Sequence, residues 1–281
     1  MIKVPRGACP PSLSGEGSAG GKERARAIAH YADPVKAQKS FDFKAYKGAD
    51  VIAALQSAFG VKCAYCESRY GAVGPADIEH YRPKGAIQLP DGTLQKRGYF
   101  WLAADWANLL PSCIDCNRAR GHEYEDGSAV TGKANQFPLI DESRRAAGPG
   151  REGAEEPYLL DPTVDEPDEH LEFIDHGLVR GALLNGRESD RGSETIGVVG
   201  LRRPHLVDAR RDRLLEVDRA VHRLVKAAKK LDADSSDSYA RENLEEAIEE
   251  LKAAIHPSAE YAAMARQRVR PILAQVGISI T

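Results

Sequence analysis

The sequence predicts an α+β protein built on a metal-stapled core with a helical C-terminal subdomain, and three observations carry that expectation. Two Cys-x-x-Cys pairs, Cys63/Cys66 and Cys113/Cys116, frame a region of short β-type runs. Helical spacing of apolar residues dominates the last 80 or so positions. At 281 residues and 42% hydrophobic content, the chain is long enough for one substantial core and an appended unit.

Taken in order, residues 1–47 carry Pro, Gly and Ser clusters and read as an extended arm with one helical piece at "GGKERARAIAHYA". "GADVIAALQSAFG" predicts a helix, with Val51, Leu55 and Phe59 on one face and a glycine at its end. Residues 48–135 form the expected metal-bearing core, and residues 136–200 an acidic, loop-rich connector with strand-like runs at "LEFIDHGLV". In 201–281, Pro204 opens a long helix with Val207, Leu214, Val221, Leu224, Ala228 and Leu231 expected on one face. Two more helices follow, one through Leu244, Ile248, Leu251 and Ile255 and one from near Ser258.

Composition excludes several classes. The N-terminal segment has no apolar core of signal-peptide length and no later run approaches a membrane span, which predicts a cytoplasmic protein with no membrane partner. Four of five cysteines fall in two tight pairs, which is a metal pattern and not a secreted disulfide framework. The formal charge of −3 rules out a uniformly basic nucleic-acid binder. Local asymmetry exists: Arg202 to Asp232 holds ten Lys or Arg against five Asp or Glu, and the next helix is acidic, a pattern that favours attraction across a helical hairpin.

Each Cys-x-x-Cys turn aims two sulfurs at one ion, and two turns complete a tetrahedral thiolate shell suited to structural zinc. Such a shell has no open position for substrate, so chemistry must come from what it clamps together. "DIEHYRPKG" reads as a β-type run carrying Glu79 and His80, "NLLPS" as a second strand over 108–112, and a helix is expected to open near Cys113 with Asn117 in its first turn. Pinned at one end, strand, strand and helix bring His80, Asn108 and Asn117 together in a ββα-metal unit. Arg82, Lys84, Arg118 and Arg120 are candidates for phosphate contacts near it. Trp101 and Trp106 read as core.

Those residues resemble the HNH endonucleases. The resemblance implies that His80 is the general base, that Glu79 and Asn117 hold a catalytic divalent ion, and that Asn108 braces the loop orienting the histidine. Glu in place of the commoner Asp, and Asn in place of the commoner final His, keep oxygen donors and favour magnesium or manganese over a second zinc. The order of "CAYCES", "DIEHYRPKG", "YFWLAADWANLLPSCIDCNRARG", "KANQFPL" and "TIGVVGLRRPHLVDAR" is similar to bacterial HNH proteins that include the nuclease halves of Septu and retron-linked anti-phage systems, encoded beside an ABC or SMC-like ATPase. The expected function is hydrolysis of phosphodiester bonds in nucleic acid, DNA ahead of RNA, with such an ATPase as partner. A zinc-ribbon module that binds without turnover is the competing expectation.

Overall fold

The structure, a computed structural model, describes residues 1–72 and 74–275. Val73 and Val276–Thr281, parts of the expected core and of the last helical region, lie outside the described residues. In chain order the elements are α1 (Ala19–Ala32), α2 (Ala49–Phe59), β1 (Asp77–His80), β2 (Ala86–Gln88), β3 (Leu94–Lys96), β4 (Leu109–Ser112), α3 (Ile114–Asn117), β5 (Arg120–Tyr124), β6 (Gly127–Thr131), β7 (Leu171–Phe173), β8 (Val179–Gly181), β9 (Leu183–Leu184), β10 (Arg187–Glu188), α4 (Asp190–Val198), α5 (Pro204–Ala233), α6 (Ser238–Ile255) and α7 (Ala262–Gln275).

The β structure consists of two-stranded antiparallel ribbons, β1–β4, β2–β3, β5–β6, β7–β8 and β9–β10. A lone two-stranded ribbon is marginal in water, so each must be supported by packing or by a metal. The β1–β4 ribbon has that support. Its residues Leu109 and Leu110 are fully buried, and its register sets Asp77 opposite Ser112 and His80 opposite Leu109. Pro111 sits within β4, where it can donate no ladder bond; its carbonyl instead accepts from Ala64 N–H at 2.8 Å, joining the ribbon to the first cysteine turn.

The α2 helix forms as its spacing predicts. Val51, Leu55 and Phe59 are buried, and Gly60 closes it at φ 66°, where a Cβ would also meet Ser258 Cβ at 2.8 Å. The helix beginning at Cys113 is shorter than expected. It is a single turn, because the returning chain takes the carbonyls a second turn needs: Lys133 N–H donates to Cys116 O at 2.9 Å and Ala134 N–H to Asn117 O at 2.6 Å. The β5–β6 hairpin fills the space between.

Two further expectations are corrected. The N-terminal residues do not lie loosely over the rest, since Met1, Ile2 and Val4 are buried in the main apolar cluster with residues as distant as Leu206 and Met264. On α5 the buried face is Leu206, Arg210, Val217, Ala220, Leu224 and Ala227, roughly one residue out of phase with the expected stripe. The reason is that α5 serves two neighbours. Its first turns pack on the main core and its later turns, from Val217, form a second cluster with α6 and α7. The charge asymmetry acts across that hairpin, where Arg223 pairs with Glu250. Among the described residues no helix is long and apolar enough to cross a membrane.

Candidate functional site

The four cysteine sulfurs lie within 4.8 Å of one another and can hold one metal ion such as zinc. Cys66 Sγ and Cys113 Sγ are 3.7 Å apart, the spacing expected for two ligands of a shared tetrahedral ion with bonds of about 2.3 Å. No ligand position remains for substrate once all four bind.

Cationic side chains that the sequence reading missed surround this cluster. Arg203, 5% exposed, aims Nη1 at Cys116 Sγ (3.4 Å) and Nη2 at Cys113 Sγ (3.7 Å). Burial opposes its charge, but the Cys116, Cys66 and Cys113 sulfurs outweigh burial and hold the guanidinium more firmly charged than usual. Arg210, 1% exposed, also feels Cys66 and has Nε and one terminal nitrogen without a partner. Four thiolates around a divalent ion carry a net double negative charge, and two buried guanidiniums offset it. Arg203→Leu is therefore expected to weaken metal retention about 10- to 100-fold, read as the rate of zinc loss to a chromogenic chelator.

β1 carries the acid-histidine pair into a cleft of about 840 Å³, whose lining includes Asp77, Glu79, His80, Lys84, Asn117 and Arg118. His80 is 4% exposed. Its Nε2 lies 2.9 Å from the Ala103 carbonyl, an acceptor only, which fixes the proton on Nε2 and leaves the Nδ1 lone pair facing Lys84 Nζ at 3.3 Å. Burial, helped by the Lys84 charge, pushes its pKa down to about 3, well below the ordinary histidine value. The imidazole is neutral throughout the physiological range. The Tyr46 ring packs edge-on against it, with centroids 4.7 Å apart.

Asn108 closes the turn after β1. Its Oδ1 accepts from Arg82 N–H at 2.7 Å, and its Nδ2 donates to the carbonyls of Arg82 (3.0 Å) and Leu102 (3.2 Å). Its own carbonyl accepts from Tyr81 N–H at 2.9 Å, so one buried amide sets the direction in which the chain leaves His80. Asn108→Ala strands several of these groups, and a loss of at least about 2 kcal/mol is expected in urea unfolding.

The oxygen donors sit along the same strand. Glu79 is 6% exposed and its Oε1 accepts from Lys133 Nζ at 2.6 Å, while the same ammonium reaches the His80 carbonyl at 2.9 Å. Burial raises the Glu79 pKa, and Lys133 offsets that only in part. Asp77, two residues earlier and thus on the same face, binds Asn117 Nδ2 at 2.8 Å and Arg118 through both carboxylate oxygens. Arg118 holds the Asp77 carboxyl below its usual range. Asp77, Glu79 and Asn117 line one cleft and carry oxygen donors, with Glu79 already paired to Lys133 and Asp77 to Arg118. Oxygen donors suit a hard divalent ion, which would have to share these carboxylates with the Lys133 and Arg118 charges already on them.

The four basic candidates divide. Lys84 lines the cleft and pairs with no carboxylate among the described residues, while Arg118 lines it but is bound to Asp77. Arg82 and Arg120 do not line it. Arg82 pairs with Glu155 at 2.8 Å with its guanidinium over Phe137, and Arg120 pairs with Asp115 at 3.1 Å. Trp101 and Trp106 are buried at 4% and 7% exposure, as expected.

No protein-family model matches the chain. Over 215 residues it is 40% identical to Septu protein PtuB of Bacillus mycoides (strain KBAB4), an alignment spanning 75% of this chain and 66% of that protein. The chain is similar to Septu proteins. A stretch of 154 residues is 29% identical to Septu protein PtuA of the same strain, covering 54% of this chain and 19% of that protein. A third match, 28% over 127 residues, is to Septu protein PtuB of Bacillus thuringiensis, covering 45% and 33%. The chain thus spans just under two thirds of the first relative and a third or less of the others.

Asp77, Lys133, Tyr46 and Lys47 also line or brace the cleft and were not singled out from the sequence. Asp77 alone had a local signal, the i, i+2 spacing to Glu79 on a half-buried strand. The others arrive from segments remote in the chain.

Proposed function

We propose that this chain is a metal-dependent endonuclease of the HNH type that serves a Septu-type anti-phage system with an ATPase partner. The observation that carries the reading is the setting of His80: one ring nitrogen is tied to a carbonyl, and the other faces Lys84, which lines the same cleft as two carboxylates and an asparagine.

Nδ1 takes the proton of the attacking water, and the bond from Nε2 to Ala103 O keeps the ring in the tautomer whose Nδ1 lone pair is free for it; burial makes that nitrogen a weak base, and the negative charge of a phosphate entering the cleft strengthens it. Lys84 stands at that nitrogen before substrate enters. A phosphate in the cleft is a stronger acceptor for its ammonium, so substrate binding draws Lys84 away and releases the lone pair. Asn108 holds the turn that orients the ring. A magnesium or manganese ion on Glu79 and Asn117, when bound, supplies the positive charge that phosphodiester hydrolysis needs. The four-cysteine site fixes β4 and α3 against the first cysteine turn and takes no part in the reaction.

One observation favours a second reading, a non-catalytic zinc-ribbon module. Glu79 and His80 each already face an ammonium, as they would in a site built only for stability. Cleavage assays separate the two. Purified protein, with and without its cognate PtuA-like partner, is incubated with plasmid, single-stranded DNA and RNA in magnesium or manganese. The nuclease reading expects breakage of at least one substrate, and intact substrates under every condition would favour the binding module.

A further inference from the structure

The cleft holds more positive charge than its carboxylates balance. Lys133 is paired with Glu79, and Asp77 with Arg118. Among the described residues, Lys84 and Lys47 have no carboxylate partner, although both line the same cleft. Their ammoniums converge on one ring. Lys84 Nζ lies 4.8 Å and Lys47 Nζ 5.4 Å from the Tyr46 centroid, and that ring packs against His80. Like charges gathered around one aromatic ring repel unless a polyanion joins them.

The turn carrying Tyr46 and Lys47 is anchored. Its residues Ala45–Lys47 form a single 3-10 turn ahead of α2. Glu23 of α1, 3% exposed, accepts from Lys44 N–H at 2.7 Å and from Ala45 N–H at 3.1 Å. Gly48 N–H closes the turn on Ala45 O at 3.1 Å. The N-terminal region thus delivers a fixed aromatic ring and an exposed lysine to the edge of the site.

We propose that Lys47 and Lys84, set around Tyr46, form a phosphate subsite that holds the nucleic-acid strand next to the bond presented to His80. The subsite contacts the backbone and reads no base edges, so it predicts affinity without sequence preference. It rests on the nucleic-acid part of the function proposed above and not on hydrolysis. The region that the sequence reading left as a plain arm then has a task, which is to position the strand.

The test is a fluorescence-anisotropy titration of labelled single-stranded DNA, duplex DNA and RNA with the full zinc-loaded chain, with no magnesium or manganese added. For whichever strand binds, Lys47→Gln is expected to weaken affinity roughly three- to tenfold and to flatten the salt dependence by about one phosphate contact. Lys47→Arg restores both, since it keeps the charge. Tyr46→Ala, which frees both ammoniums, is expected to match Lys47→Gln. Unchanged affinity and salt slope in Lys47→Gln, no rescue by Lys47→Arg, or no binding of any strand by the wild-type chain overturns the subsite. Lys47-dependent binding without cleavage in the assay above leaves the subsite standing and removes the nuclease reading instead.

Discussion

Cys113→Ser abolishes metal binding and collapses the stability of the protein: this is the largest effect expected of any single substitution. Three sulfurs and a hydroxyl make a much poorer shell, and Cys113 directly follows β4 and stands at the N-cap of α3, so its loss loosens the strand that follows Asn108 and the turn that carries Asn117. Structural zinc is worth an apparent 10–16 kcal/mol, about, in isolated zinc-binding peptides. Here the neighbouring apolar core retains part of the fold, and a loss of about 4 kcal/mol or more is expected. For a chain of this size that lowers the melting temperature by roughly 10 °C or more. Elemental analysis is expected to read one zinc per chain in the wild type and none in the variant, with the fall in melting temperature seen by calorimetry. Cys9→Ser is the control, because Cys9 is exposed and is not among the four clustered cysteines, and it should change neither quantity. A Cys113→Ser protein with full zinc and an unmoved transition would show that the sulfurs do not share an ion.

His80→Ala is expected to remove cleavage while leaving zinc content intact. General-base assistance is typically worth about 10²- to 10⁴-fold, and among the described residues no other imidazole lines the cleft. Some stability is lost too, since the ring fills a buried site against Tyr46 and its Nε2 proton is bound by Ala103 O. A melting curve therefore accompanies the assay. The reading requires the cleavage rate to fall by far more than any shift in folded fraction explains. A variant that cuts at the wild-type rate would move the base elsewhere, and Asp77 would be the next carboxylate to replace.

Much of the site was legible because its parts are local. A Cys-x-x-Cys turn declares itself within four residues, and the alternation of a short strand places Glu79 and His80 on opposite faces without reference to the rest of the chain. The α2 helix followed from Val51, Leu55 and Phe59 alone. The face of α5 did not, since its early turns answer to the main core and its later turns to α6 and α7, and no single stripe serves both. The single turn of α3 was equally hidden. What ends it is a chain segment that returns after a hairpin and takes its last carbonyls.

The sequence by itself determined that four sulfurs form one cluster, that an acid-histidine strand and two asparagines are tethered to it, and that helices complete the chain. Tertiary structure alone decided who keeps those groups company. Lys133 reaches Glu79 across 54 positions of sequence, Arg203 reaches Cys116 across 87, and the Tyr46–Lys47 turn is fixed by Glu23 of an earlier helix. The physical reason is that a buried charge must be balanced by whatever charge the fold brings near it. That balance depends on distances in space, and a linear pattern records only distances along the chain.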